Sequence, residues 1–572
     1  MASGINVGDW RAILVLVFFL FSNAAVIFPV RIPVPHTILS KARAALVALG
    51  IVTPRTEPLK RAFFPLNFIS APLLSVLVLL ASGAINGAVV RDGIVGANGV
   101  KPLDIMALFI SLAYLSISLD ATGLLRFLAF WVVQKGGSSG RKLFTSLYAF
   151  FLVCGVIVGN DPVILSGTAF LAYLTRVSGI VNPTAWIFSQ FAAANMASVV
   201  LVSSNPTNLV LSGAFSLSFT TYTAHCILPF LGAAISVYPI LILGLFRSRD
   251  LIPRSINLDP TVVDDMGDTL VDKKGAIFGS ALLLVTLSVL VGTSTIGVPV
   301  WEVTVPPAVV MLLRDTHHDW ARRSRILRNG VQTPQAVHGG TDRTKFDGPV
   351  ILRGEIEVEN LSVPFVSRSY SVQEEQGRAP MTLSTIATKY THRFSTTFPT
   401  VTAVARRLPI SLLPFAFLMF ILVQGLSTQG WVEVLAQWWA AWVDKIGVLG
   451  AIGGMGFIAC IFCNVCGTNI GATILLARVI QVWISGGTGE SLNPRSREGA
   501  IYALALGSNY GAITLTFSAS LAGLLWRRIL QQKGIHVRPM QFLRINFLIA
   551  LTAMLVSSAV LVGQVYVIYR NN

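Results

Sequence analysis

Long apolar segments recur along this chain from Ile13 to Val565, and each is about 17 to 25 residues long, the length that an α-helix needs to cross a bilayer. Only 12% of the 572 residues are charged, and the mean hydropathy is +0.70. Gly, Pro and polar residues separate the segments, and the sequence lacks the alternating ten-residue pattern of a membrane β-barrel. The sequence therefore predicts an all-α polytopic membrane protein.

The apolar segments predict where the chain crosses the membrane. We expect spans at 13–30, 65–89, 103–119, 143–160, 183–217, 225–246, 275–298, 299–313, 408–426, 446–463, 497–527 and 541–567. Two of them, 183–217 and 497–527, are expected to be broken. The first is interpreted as a retained span, because it lacks a clear small-residue cleavage site. Segments 161–176 and 468–483 are expected to be the returning arms of re-entrant hairpins. With this arrangement the loops rich in Lys and Arg share one side, which the positive-inside rule makes cytoplasmic.

The net charge of +17 is spread over these loops, so it indicates topology and not nucleic-acid binding. Low apolar content and charges of both signs predict that the insert at 314–407 is a mostly disordered cytoplasmic loop with a possible cytoplasmic partner. We expect five parts: 1–62, an N-terminal span and basic cytoplasmic segment; 63–246, a first transmembrane repeat; 247–313, a cytoplasmic loop and connecting spans; 314–407, the insert; and 408–572, a second transmembrane repeat.

Four polar interruptions break the apolar pattern, and each contains an asparagine. "VGNDPVILSG" surrounds Asn160 and "VSSNPTNLVLSG" surrounds Asn205 in the first half, while "FCNVCGTNIGAT" surrounds Asn464 and "LGSNYGAITLT" surrounds Asn509 in the second. The spacing within each half is the same, since 205 − 160 = 45 and 509 − 464 = 45. The sequence thus predicts a repeat with a constant offset of 304 residues (464 − 160), inverted because the two halves enter the membrane from opposite sides.

Inverted repeats with re-entrant hairpins and broken transmembrane helices are typical of secondary transporters that bind their solute near the bilayer midplane. Pro206 is suited to the first turn of a half-helix, and the peptide groups freed at such a break must line protein or water. Free N–H groups at the start of a half-helix favour oxyanions or hydroxylated solutes. The predicted substrate- or ion-binding residues are Asn160, Asp161, Ser204, Asn205, Thr207, Asn208, Asn464, Thr468, Asn469, Ser508 and Asn509. The alternative for such residues is that they are interhelical polar contacts.

Two acidic residues lie within or beside apolar segments. Asp161 follows Asn160 between two apolar runs, where a carboxylate is costly, so we expect it to carry a proton, bind a cation or contact the solute. Asp120 is followed by Arg126, and it is interpreted as an interfacial cap or an ion pair with a basic side chain, with a role in transport as the alternative.

Cys460, Cys463 and Cys466 form a C-x2-C-x2-C cluster around Asn464. On one helical face three thiols could contact a thiophilic centre such as trivalent arsenic, although buried cysteines more often act as small apolar residues. The sequence predicts no other metal ligand and no cofactor. "GGSSGRK" lacks the GK[ST] ending of a phosphate-binding loop, so a proton or sodium gradient, or a separate ATPase subunit, must drive uphill transport.

Two long segments, 117–176 ("ISLDATGLLRFLAFWVVQKGG…AYLTR") and 502–549 ("YALALGSNYGAITLTFSASLAGLLW…NFLI"), resemble the arsenite efflux permeases of the ion transporter superfamily, which also contains the citrate-transporter-like proteins. The resemblance covers roughly 65–313 and 408–567, and its most specific parts are the pair Asn160 and Asp161 and the segment from Ala519 to Trp526. Where the permeases have an acidic residue in the second broken helix, this chain has Asn509. The resemblance implies a homodimer with an elevator-type movement that exports arsenite or antimonite, coupled to protons.

The predicted function is an ion-gradient-coupled exporter of arsenite, antimonite or a similar small oxyacid, in the plasma membrane, with the vacuolar membrane as the alternative location. A citrate-like dicarboxylate or inorganic-anion symporter or antiporter is the alternative within transport. An anion channel would share the polar cavity without alternating access. A membrane-embedded enzyme is disfavoured, because no nucleophile and base recur near the polar interruptions.

Overall fold

The computed structural model describes residues 7–53, 61–97, 100–256, 270–293, 298–329, 382–487 and 489–570. These residues are mainly helical, which confirms the predicted all-α class. Near the N-terminus, strands β1 (Val30–Pro33) and β2 (Phe63–Leu66) pair antiparallel, with Val30 opposite Leu66.

In the described residues, thirteen helices lie ahead of residue 330. They are α1 (Trp10–Ile27), α2 (His36–Ala48), α3 (Ser70–Ala81), α4 (Gly87–Val95), α5 (Pro102–Ala121), α6 (Leu124–Gly136), α7 (Gly140–Val158), α8 (Asn160–Val177), α9 (Thr184–Ala197), α10 (Pro206–Phe215), α11 (Phe219–Pro239), α12 (Lys273–Thr293) and α13 (Val300–Asn329). A 3-10 turn at Val202–Ser204 lies between α9 and α10, and a π-helical turn at Ile240–Leu245 extends α11.

The remaining helices are α14 (Leu383–Thr397), α15 (Pro399–Arg407), α16 (Leu412–Thr428), α17 (Trp431–Ile446), α18 (Met455–Val465), α19 (Asn469–Gly486), α20 (Pro494–Gly511), α21 (Leu521–Gln532) and α22 (Pro539–Ile568). A π-helical turn at Gly450–Gly454 precedes α18, and 3-10 turns occur at Gly489–Leu492 and Phe517–Ala519. In the described residues, eight helical segments are long and apolar enough to cross a membrane: Trp10–Ile27, Pro102–Ala121, Gly140–Val158, Phe219–Leu245, Lys273–Thr293, Pro399–Thr428, Asn469–Gly486 and Pro539–Ile568.

The order of elements recurs in the two halves of the chain. α5 to α10 and α16 to α21 follow the same plan: two helices, a third that ends at a hairpin tip, a returning helix, and a helix that breaks around a 3-10 turn. Three junctions of each plan use glycines with positive φ, at Gly123, Gly137 and Gly159 in the first half and at Gly430, Gly447 and Gly467 in the second. The predicted breaks in 183–217 and 497–527 are confirmed, and the opposite membrane orientation of the halves stays a prediction.

The predicted constant offset of 304 is wrong. The hairpin tips lie 308 residues apart (467 − 159), and the half-helices after the breaks begin 315 residues apart (521 − 206). The offset grows by seven residues (315 − 308), and four of these come from α20, which has 18 residues where α9 has 14. In this register Asn464 lies in the last turn of α18, ahead of the hairpin tip, and Asn509 lies inside α20, ahead of the break.

Several predicted spans also differ from the structure. The segment 65–89 divides into α3 and α4, and the short span 299–313 is part of the 30-residue α13. The sequence analysis missed α6 and α17, whose 13 and 16 residues include charged side chains and are too short for a long apolar window.

The chain forms two compact units. One consists of Met1–Val34, Arg61–Val309 and Pro409–Asn572, and it contains both repeats of the element order. The other consists of Pro35–Lys60 and Val310–Leu408. In the second unit Asp319 accepts hydrogen bonds from the backbone N–H groups of Thr400 (2.8 Å) and Val401 (3.1 Å), which caps the start of α15.

The edges of the insert at 314–407 are helical, and the prediction that the insert is mostly disordered stays a prediction. Its central part, 330–381, lies outside the described residues. The five-part division of the chain stays a prediction.

Candidate functional site at the helix breaks

The first hairpin tip lies directly against the break between α9 and α10. Gly159 ends α7 with φ +92°, and a Cβ at this position would lie 2.9 Å from the backbone oxygen of Ser204. Only glycine tolerates both the positive φ and this close approach without strain. The Ser204 hydroxyl donates to the backbone oxygen of Val156 (2.7 Å), which ties the break to the end of α7.

The sequence around Pro206 explains why α10 begins where it does. Asn205 is the N-cap residue, and its side-chain oxygen accepts hydrogen bonds from the backbone N–H and the hydroxyl of Thr207, at 3.2 and 3.1 Å. Pro206 occupies the first turn, where the missing N–H costs nothing. The Asn208 amide donates to the backbone oxygens of Ser198 (2.7 Å) and Leu201 (2.8 Å). The carbonyls freed by the break are thereby satisfied inside the protein, as a lipid environment requires.

The first hairpin tip and the first break enclose a cavity against α5. Its lining residues are Phe109, Leu112, Ala113, Ser116, Ile117, Val158, Gly159, Asn160, Asp161, Pro162, Ser203, Ser204, Asn205, Pro206 and Leu209. Asp161 is half-buried and has no hydrogen-bond or ion-pair partner in the described part of the chain. Two helices, α8 and α10, begin at this cavity, so two positive dipole ends converge on it.

Asn509 connects the two halves of the chain at this place. Its side-chain oxygen accepts hydrogen bonds from the Ser198 hydroxyl and the Asn205 amide, both at 2.9 Å. Its amide donates to the side-chain oxygen of Asn208 (2.7 Å) and to the backbone oxygen of Ala505 (2.9 Å). Asn205 also lines the cavity, so the cavity wall and the second half share one hydrogen-bonded network.

The second half has its own capped helix starts. Thr468 is the N-cap of α19 and accepts from the Gly471 N–H at 3.4 Å, and Ser520 is the N-cap of α21. Asn464 holds the second break: its amide donates to the Thr514 hydroxyl (2.6 Å), and its oxygen accepts from the backbone N–H and the hydroxyl of Thr516, both at 3.0 Å. Asn464 therefore holds the second break in place by hydrogen bonds. Asn464, Thr468 and Asn469 do not line the cavity at Asp161.

The remaining predicted residues lie away from that cavity. The Ser508 hydroxyl donates to the backbone oxygen of Ala505 in its own helix (3.1 Å). All five cysteines of the chain are unpaired and buried, and two of the clustered thiols contact α20: Cys460 Sγ donates to the Gly507 oxygen (3.3 Å), and Cys463 Sγ donates to the Ser508 oxygen (3.6 Å). These contacts form a packing seam between α18 and α20. Within the residues that the structure describes, no group of three His, Cys, Asp or Glu side chains could hold a metal ion.

The sequence analysis did not include two polar residues that complete the site, Asn195 and Ser198. The Asn160 amide donates to the side-chain oxygen of Asn195 (3.3 Å), and Ser198 contacts both Asn205 and Asn509. Asn195 lies two residues before the end of α9, and Asn509 lies two residues before the end of α20, so the two precede their breaks at equivalent positions. Their offset of 314 residues (509 − 195), used in place of 304, would have revealed Asn195. Asp120 is also buried, and both of its oxygens accept from the Ser166 hydroxyl (2.5 and 2.6 Å), while its interpretation as an interfacial cap or ion pair stays a prediction.

Comparison with known protein families identifies the family of the chain. The family model described as "Citrate transporter" matches residues 15–327, which is more than half of the chain. The chain belongs to the citrate transporter family. A second family model, described as "Arsenical pump membrane protein", matches residues 384–568. Both families consist of membrane transporters, so the chain is a multi-pass integral membrane protein of a transporter family and not an enzyme.

Among curated proteins, several arsenical pump membrane proteins are similar to this member of the citrate transporter family. That of Escherichia coli (strain K12) is 26% identical over 224 residues, which is 39% of this chain and 51% of the relative. Another from Escherichia coli is 30% identical over 182 residues (32% and 41%), and that of Yersinia enterocolitica is 32% identical over 147 residues (25% and 34%). The chain thus spans about half of the length of these relatives, or less.

Among solved structures, the Alcanivorax borkumensis YdaH transporter has a similar fold. The TM-score is 0.50 with 14% sequence identity, and the match covers 98% of this chain and 99% of that chain. At this identity the similarity concerns the fold alone.

Proposed function

We propose that the protein is a secondary active transporter that exports arsenite, antimonite or a similar small oxyacid, with its solute bound at the cavity between the first hairpin tip and the first helix break. The observation that carries the proposal is the convergence of two helix N-termini, α8 and α10, beside the carboxyl group of Asp161, which has no partner among the described residues. Helix N-termini attract oxygen atoms that carry partial or full negative charge.

The composition of the cavity favours a neutral, hydroxylated solute. Asp161 can accept hydrogen bonds from solute hydroxyl groups when it is ionised, whereas it would repel a dianion at the same distance. The Asn160 amide, which uses one of its two N–H groups on Asn195, adds a donor beside it. Arsenous acid carries three hydroxyl groups and no charge near neutral pH, so it satisfies both requirements. The similarity to arsenical pump membrane proteins supports the same solute class.

A citrate-like dicarboxylate or another anion is the second candidate, and the family match over the first half of the chain favours it. It requires Asp161 to be protonated or neutralised by a bound cation during transport. A channel is the alternative outside active transport. Flux that saturates with solute and depends on a counter-ion gradient would separate the carrier from the channel.

Asp161 is the proposed coupling group, because an intramembrane carboxylate without a partner is suited to proton transfer or cation binding. Protons are the first choice of coupling ion and sodium the second. A homodimer, a plasma-membrane location and a cytoplasmic partner for the insert at 314–407 complete the proposal.

The direct test expresses the chain in cells that lack their own arsenite exporters and measures intracellular arsenic after an arsenite load. We expect less arsenic than in cells with the empty vector, and a return to the empty-vector value with Asp161→Asn. Asp250→Asn is the matched control, since Asp250 is exposed in a loop and should leave export unchanged. Unchanged arsenic in cells that display the protein at the surface would contradict arsenite export, and labelled citrate would then be the next solute.

A further inference from the structure

A second polar cavity lies on the other side of α10, next to the returning arm of the second hairpin. Leu209 of α10 lines the cavity at Asp161, whereas Val210 and Ala214 line this second one. The polar side chains around the second cavity come from α4, α16 and α19: Asp92, Gln424, Arg478 and Gln481.

Arg478 is the unusual member of this group, because it lies within a helix that is apolar enough to cross the membrane. Its Nη1 donates to the side-chain oxygen of Gln481 (3.2 Å), and its Nη2 makes only a long contact with the Ser427 hydroxyl (3.5 Å). Its Nε is buried without a hydrogen-bond partner. Among the described residues no carboxylate lies within 4.0 Å of the guanidinium. A charged group at membrane depth without such a partner indicates a functional site.

The guanidinium is held in a fixed orientation. The Gln481 side chain donates through Nε2 to the backbone oxygen of Ala214 (2.6 Å), so its own oxygen is positioned to hold Nη1 of Arg478. The edge formed by Nε–H and Nη2–H is therefore the one that remains for a ligand. Two parallel N–H donors at this edge match the two oxygens of a carboxylate or similar oxyanion.

We propose that Arg478, with Gln424 beside it, binds a monovalent carboxylate or small oxyanion at this second cavity. Two acidic residues limit the charge of the ligand: Asp92 lines the cavity and pairs with Arg91 at 3.3 Å, and Glu433 of α17 is close enough to interact electrostatically with Arg478. With a dianion these two carboxylates would oppose the attraction of the single guanidinium. The site is separate from the cavity at Asp161 and does not depend on which solute the protein transports.

The test uses the purified full-length protein in detergent and acetate as the probe, at constant ionic strength. A ligand that binds the folded state raises the midpoint of thermal unfolding in a saturable way, which gives an apparent Kd. We expect Arg478→Gln to weaken acetate binding by about 10- to 100-fold, the range for a lost charged hydrogen-bonded pair, and Arg478→Lys to weaken it less. Gln424→Leu should weaken binding several-fold and serves as an independent variant should Arg478→Gln not fold.

Arg176→Gln is the matched control. Arg176 lies near the end of the first hairpin's returning helix, is exposed, and donates to the backbone oxygen of Lys533 (3.1 Å). This control and Asp161→Asn should bind acetate as the wild type does. No saturable shift in the wild type, an unchanged Kd in Arg478→Gln and Gln424→Leu, or an equal loss in Asp161→Asn would each overturn the proposal. Loss of transport in Asp161→Asn with intact acetate binding would leave both this site and the proposed function standing.

Discussion

Replacing Asn509 by alanine should destabilise the protein, because this side chain joins the second half of the chain to the first helix break. The side chain makes three hydrogen bonds to other helices or to the first break, with Ser198, Asn205 and Asn208, at 2.7 to 2.9 Å. All four of these residues are buried. In Asn509→Ala the Asn205 amide keeps only a 3.4 Å contact with Ser198, and the Asn208 oxygen keeps only a 3.4 Å contact with the Thr207 hydroxyl.

The size of the effect follows from the number of bonds lost. Interhelical hydrogen bonds in membrane proteins contribute on average about 0.6 kcal/mol each, and at most about 1.7 kcal/mol. Three such bonds give a loss of about 2 kcal/mol in the free energy of unfolding, with an upper limit of about 5 kcal/mol. A loss of about 2 kcal/mol lowers the ratio of folded to unfolded protein by roughly 30-fold.

The assay is equilibrium unfolding of the purified protein in mixed micelles, with the wild type and both variants measured in parallel. Ser508→Ala is the matched control, because Ser508 is the adjacent buried residue and its hydroxyl bonds only within its own helix. We expect the control to differ from the wild type by less than about 0.5 kcal/mol. An Asn509→Ala variant as stable as the control would refute the view that this network joins the two halves.

Three further predictions concern the same region. Gly159→Ala should lower stability and abolish transport, because φ is +92° and the added Cβ meets a backbone oxygen. The control is Gly179→Ala, which also has a positive φ but has open space around it, so it should cost only the backbone strain and leave transport intact. Flux measurements on both variants will show the difference. Ser166→Ala should reduce the free energy of unfolding by about 1 to 3 kcal/mol, because it removes the bonds to Asp120, and an unchanged value would contradict this assignment. Cys463→Ala should retain arsenite resistance in cells, since its thiol contacts a backbone oxygen in a packing seam; loss of resistance with normal protein levels would instead favour a thiol–arsenic contact.

The first helix break could be predicted from the sequence because its causes are local. Asn205 and Pro206 are the preferred residues for an N-cap and a first helical turn, and an apolar context demands that the freed peptide groups stay inside the protein. The same reasoning located the second break but not its register. Asn464 and Asn509 resemble the first-half asparagines in sequence, whereas the helix starts are capped by Thr468 and Ser520.

The contacts between the halves could not be predicted from one sequence. The bond between Asn205 and Asn509 joins residues 304 positions apart, and only the packed fold brings them together. Their separation equals the offset of the predicted repeat, but they meet as hydrogen-bonding partners and not as equivalent positions. Composition likewise indicated membrane spans but missed α6, which is short and carries charges at both ends.

Arsenite flux across proteoliposomes that contain the purified protein tests the central claim most directly. We expect saturable flux in the wild type that an imposed proton gradient accelerates. We expect flux at the level of empty vesicles in Asp161→Asn, with the variant folded as judged by its unfolding curve. Arsenite flux that persists unchanged in Asp161→Asn would contradict the claim that the solute and its coupling proton meet at the cavity between the first hairpin tip and the first helix break.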